Sequence, residues 1–148
     1  MGAELKTGAF VWARFPFVES PREPGPETHL HAVYVIAVDE RAQRAIVAYT
    51  TTGLRPQRMP EGFVVAGERE AGQMNQRPFA LDAKRIGLLP IDETWFPGLR
   101  HQRPVLAMAT PDFAARVMRE IERMMVTRKI RYCGPWVGED TSKPPRIG

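Results

Sequence analysis

The sequence predicts a small, mainly β domain of the sandwich or barrel kind, closed by one C-terminal amphipathic helix. Three observations carry this. Between residues 8 and 90, short runs of β-branched and aromatic residues alternate with turns containing Gly, Pro and Asp, the spacing of a small all-β fold. After residue 110 the apolar period lengthens from about two to about 3.6 residues. The chain has 148 residues, 43% of them hydrophobic and 26% charged, enough for one core without help from metals or disulfides.

Residues 8–17, GAFVWARFPF, form the first expected strand, with Pro16 marking its end. Residues 18–28 hold three prolines and mixed charge and read as a long loop. Residues 31–38, HAVYVIAV, and 44–52, RAIVAYTTT, flank the polar turn 39–43, so 31–52 reads as a hairpin. Residues 53–62 are a loop, 63–66 a short strand and 79–81 another. Over 82–89 Asp82 either caps a short helix or closes a turn. Thr110 and Pro111 then supply an N-cap and a first helical residue. Phe113, Val117, Ile121, Met124 and Met125 recur as one stripe, flanked by Ala114 and Met118, and the helix is expected over about 111–128. The domain is expected to occupy residues 1–130, followed by a Pro- and Gly-rich tail at 131–148.

Cys133 is the single cysteine, which excludes an intramolecular disulfide and a Cys-rich zinc site. No apolar run nears the roughly 18 residues of a membrane span, and no signal-peptide pattern opens the chain. A cytoplasmic protein without a membrane association is therefore expected. Basic residues number 21 against 17 acidic, and 17 of the 21 are Arg, the type that matches phosphate with a planar fork. Residues 116–131 hold six basic and two acidic side chains, and residues 41–60 hold four Arg and no acid. This distribution favours a polyanionic partner, although Arg-rich composition also has compositional origins.

Metal-ligand spacing, Gly-rich phosphate loops and nucleophile-elbow motifs are missing from the sequence, so no cofactor or metal is expected. His29 and His31 alternate at the start of a strand and so share a face. Thr50, Thr51 and Thr52 close the partner strand, with Thr50 and Thr52 on one face and Thr51 on the other. Imidazole, hydroxyl and guanidinium groups together suit phosphodiester cleavage: the first moves a proton near neutral pH, and the others stabilise developing charge. Each residue also has a structural use, in a solvated strand entrance, a turn hydrogen bond or β-propensity. The Met-rich helix stripe reads as core.

The order of these motifs resembles the MazF/PemK-like toxin endoribonucleases over about residues 8–90. The quoted stretches are GAFVW with FPF, AVYVI, VAYTTT, and FALDAKRI followed by LP. The resemblance implies an SH3-like β-barrel, a homodimer, a protein antitoxin as partner, and metal-independent cleavage of single-stranded RNA by its own 2′-hydroxyl. It places Thr51 at the family's hydroxyl position. The family's arginine just before the second strand has no counterpart, because residues 28–31 read Thr-His-Leu-His. His29 or His31 then takes the acid–base role, or Arg22 reaches in from the loop, with Thr50, Thr52, Arg55 and Arg58 as substrate contacts. The alternative is an inactive SH3-like module that binds a protein or a nucleic acid.

Overall fold

The structure, a computed structural model, describes residues 5–15, 30–52, 59–67, 69–70, 79–100 and 105–134. These form seven strands and one long helix: β1 (Ala9–Ala13), β2 (His31–Asp39), β3 (Arg44–Thr51), β4 (Phe63–Val65), β5 (Ala80–Pro90), β6 (Val105–Met108), α1 (Pro111–Val126) and β7 (Arg131–Cys133). A 3₁₀ turn at Pro97–Arg100 precedes β6. The mainly β composition with one helix agrees with the sequence. Among the described residues the strands follow the open order β4-β5-β3-β2-β1-β6, antiparallel throughout, with β7 added in parallel to β5. No described helix is long and apolar enough to cross a membrane.

The β2–β3 hairpin is closed by Asp39, whose carboxylate accepts the Ala42 N–H at 3.1 Å, while Gln43 takes the left-handed conformation at φ 51. Pairing then runs from Asp39↔Arg44 to Val33↔Tyr49. Both faces of the sheet are buried, which is why its strands read as nearly unbroken apolar runs. On one face Phe10, Tyr34, Ile46, Leu81 and Ile86 pack against Phe113, Val117, Ile121 and Met124 of α1. On the other, Val11, Val33, Val35, Val47 and Leu89 pack against Phe15, Trp95 and Phe96. The Phe15 ring lies against Gly87, where a Cβ would fall 2.7 Å from it, so this approach requires a glycine.

The helix begins where the sequence places it. The Thr110 hydroxyl accepts the Phe113 N–H at 3.2 Å and Pro111 fills the first position. A second acceptor comes from the almost fully buried Glu70, whose Oε1 takes the Thr110 N–H at 3.0 Å. Burial pushes the Glu70 carboxyl up, but the Thr110 N–H and hydroxyl and the Arg116 charge outweigh it and hold it below its usual range. Met124 is the fully buried residue of the last turn and Met125 is half-buried.

Two readings are corrected. Residues 80–90 are one strand, β5, and not a strand followed by a turn or helix. A bulge at residues 83–85 interrupts its alternation, which makes the strand look finished at Asp82. Residues 131–133, placed in the tail, form β7 on β5; three residues are too few to show a period. Likewise β6 has only four residues, and its strand character comes from pairing with β1. The helix α1, at Pro111–Val126, agrees with the expected span of about 111–128.

Ile121 is fully buried at the centre of the helix stripe. Ile121→Ala should cost roughly 2–5 kcal/mol of unfolding free energy in urea titrations. Val126→Ala, at an 84% exposed position, should shift it by less than about 0.5 kcal/mol.

Candidate functional site

The site is made by the β5 bulge. Ala48 pairs with Ile86, but Tyr49 pairs with Asp82, so residues 83–85 have no counterparts on β3. The extra backbone is tied down locally. The Asp82 carboxylate accepts the Lys84 N–H at 3.0 Å, and the Ala83 N–H donates to the Gly62 carbonyl at 2.8 Å. Gly62 has φ +91, a left-handed conformation that calls for glycine. Ala83 stays in the core, while Lys84 and Arg85 leave the ladder with β3. Bulges commonly re-aim side chains in this way.

On the outer edge of β5 the first residues of two strands meet at this bulge. Phe63 of β4 pairs with Asp82, and Arg131 of β7 pairs with Arg85. The gap between them is a cleft of about 790 Å³. Tyr49 and Thr51 come from β3, and Asp82, Lys84 and Arg85 from β5. Glu61 and Phe63 lie on the β4 side, and residues 128–131 on the side of the turn between α1 and β7. Five cations (Lys84, Arg85, Arg128, Lys129 and Arg131) face two carboxylates, so the cleft is basic. The Lys129 ammonium pairs with Glu61 and holds the Glu61 carboxyl below its usual range.

Tyr49 organises the adjoining side chains. The Arg85 guanidinium lies 4.7 Å over its ring, with His31 at 5.2 Å and Phe15 at 5.3 Å between ring centroids. His31 and Thr51 lie two residues beyond the Val33↔Tyr49 pair on their respective strands, so both project from the face that carries Tyr49. His31 reaches this group through Tyr49 and is not among the residues lining the cleft.

The candidate residues from the sequence therefore separate. His31, Thr51 and Arg85 gather around Tyr49. Thr50 is buried, and its hydroxyl donates to the Ala32 carbonyl, tying β3 to β2. Thr52 is exposed just past the end of β3. Arg22, His29, Arg55 and Arg58 lie outside the described residues. Arg41 and Arg44 sit at the hairpin turn, and Arg44 pairs with Asp39 at 3.5 Å. Thr51 is at the far end of β3, some 23 Å away at about 3.3 Å per residue. These two arginines therefore lie far from the cleft.

The sequence alone does not single out Tyr49, Lys84, Arg85, Arg128 or Arg131 as site residues. The charge excess in 116–131 was the available signal, since three of its six cations line the cleft. Comparison with known protein families and with characterised proteins returns no match.

Burial pushes the Asp82 carboxyl above its ordinary value of 3.8, and the Lys84 N–H with the charges of Lys84, Arg85 and Arg131 offsets only part of this. The folded state therefore favours the protonated acid. Its ionisation costs stability in full above the folded pKa, and the cost vanishes below the unfolded one. Asp82→Asn keeps the oxygen acceptor. Relative to the parent it should gain stability as pH rises through the carboxyl range and gain none at about pH 3, as measured by urea unfolding at several pH values.

Proposed function

We propose that the protein is a MazF/PemK-like endoribonuclease that holds single-stranded RNA in the basic cleft and cuts it without a metal. The observation that carries this reading is the placement of Thr51 and Arg85 together in a cleft with five cations and two carboxylates. Such a groove tracks a phosphate backbone. The 2′-oxygen attacks the adjacent phosphorus and the bond to the 5′-oxygen breaks, leaving a 2′,3′-cyclic phosphate and a 5′-hydroxyl. His31 takes the 2′-hydroxyl proton, and the departing oxygen takes one from water. The Thr51 hydroxyl and the Arg85 guanidinium stabilise the charge that builds on the phosphoryl oxygens. Arg85 reaches the site from β5 and supplies the guanidinium that residues 28–31 lack.

The SH3-like barrel, the homodimer and the antitoxin partner belong to the same proposal. The bulges in the β1–β6, β2–β3 and β3–β5 pairings support the barrel, because each bends the sheet. A second reading, an inactive module binding nucleic acid or protein through the same groove, is favoured by the position of His31 outside the cleft lining.

Purified protein incubated with a mixed-sequence RNA in EDTA should give discrete cuts with cyclic-phosphate and 5′-hydroxyl ends. His31→Ala and Thr51→Ala should each slow cutting by about 10²–10⁴-fold, the usual worth of one acid–base or transition-state contact, with binding nearly intact. Salt-dependent binding without cuts would replace the enzyme with the binding module. No salt-dependent RNA binding at micromolar protein would remove the polyanion reading.

A further inference from the structure

Two costs of different origin meet on one wall of the cleft. The first lies in the turn that ends α1. The Arg128 N–H donates to the Met125 carbonyl at 3.1 Å, and the Lys129 N–H donates to the Met124 carbonyl at 2.9 Å. This is the paired bonding of a Schellman turn, whose left-handed position is usually glycine. Here that position holds Arg128, at φ 58. A side chain of L chirality in this region crowds its own backbone. The second cost is electrostatic. Arg131 of β7 is the in-register neighbour of Arg85 on β5, and both line the cleft. Like charges placed side by side across a strand pair destabilise it.

Both costs fall on arginine, the side chain whose fork matches phosphate oxygens. Backbone strain of this kind gathers at binding sites, where the surrounding structure over-determines it. The surroundings do so here: the Schellman bonds fix the turn from the helix side, and the pair between Lys129 and Glu61 fixes it to the approach of β4. We infer that Arg128 and Arg131 form a second phosphate subsite, which holds the phosphodiester next to the one at Thr51 and Arg85. The nature of the ligand rests on the RNA reading above. The backbone of the strand then runs from the end of β3 across the β5 bulge to the turn after α1. Lys129, tied to Glu61, anchors this turn.

The test uses a fluorescein-labelled 2′-O-methyl oligouridine of about 12 nucleotides, which cannot be cut, in anisotropy titrations across a range of salt. Arg128→Gly should raise the thermal midpoint by about 2–4 °C, because glycine accepts the left-handed conformation without crowding. The same substitution should weaken binding about tenfold, the loss of one charge-assisted contact. It should also reduce the salt slope by about 0.7. Arg131→Gln should weaken binding and flatten the slope similarly, whereas Arg41→Gln, at the distant hairpin turn, should change neither. If Arg128→Gly raises the midpoint and both arginine variants bind as tightly as the parent with the same slope, the subsite is wrong and the RNA reading stands. If the parent itself fails to bind the oligomer, the RNA reading falls and takes the subsite with it.

Discussion

The three-residue bulge in β5 is the constraint on which the rest of the site depends. Without it, β5 would continue its pairing with β3 in register, and Lys84 and Arg85 would fall on alternate faces of a sheet buried on both sides. Each would then meet an apolar core. The bulge moves both charges to the edge, at the cost of ladder bonds that Asp82 and the Gly62 carbonyl partly restore. It also divides the outer edge of β5, so that β4 pairs with residues 80–82 and β7 with residues 85–87. The cleft lies at this division.

Burial on both faces explains where the charges go. Apolar residues at adjacent positions, such as Phe10 with Val11 and Ile46 with Val47, serve opposite cores. Little of the strand surface is left for polar groups, so they concentrate at strand ends, in the bulge and on the outer face of α1. Asp82 is the exception. It sits within a paired strand segment at the cleft, and burial there pushes its carboxyl toward the neutral form. The basic side chains around it draw it back only in part.

The architecture was legible in the sequence where the physics is local. The hairpin over 31–52 follows from β-branched runs around an Asp-led turn, and α1 follows from Thr110, Pro111 and a stripe of period about 3.6. The elements that were missed depend on partners distant in sequence. β6 and β7 have four and three residues, and they become strands only because β1 and β5 offer edges. β5 was cut short because the bulge residues Ala83, Lys84 and Arg85 break the alternation that marks a strand. The site shows the same division. His31 and Thr51 could be paired in advance because a hairpin joins them, whereas Arg85, Arg128 and Arg131 reach the cleft through non-local pairing. Of the basic stretch at 41–60, Arg41 and Arg44 lie at the hairpin turn, and the length of β3 separates them from Thr51.

The electrostatics of α1 tie the core to the cleft. Its buried stripe of Phe113, Val117, Ile121 and Met124 fixes the helix on the sheet, and so fixes where its C-terminus ends. That end carries a partial negative charge of about half a unit, which favours the cations of the following turn. Arg128 and Lys129 are the first residues beyond the Thr127 cap, and Arg131 follows two residues on. The helix end therefore offsets part of the mutual repulsion of these cations in the unliganded protein. The remainder of that repulsion, with the left-handed strain at Arg128, lowers the stability of the free fold without lowering that of a complex in which an anion lies between the arginines. A protein selected for stability alone would place glycine after the cap and a neutral residue opposite Arg85. On the proposed RNA subsite, the stability forgone at both positions is the stability that binding of the polyanion would return.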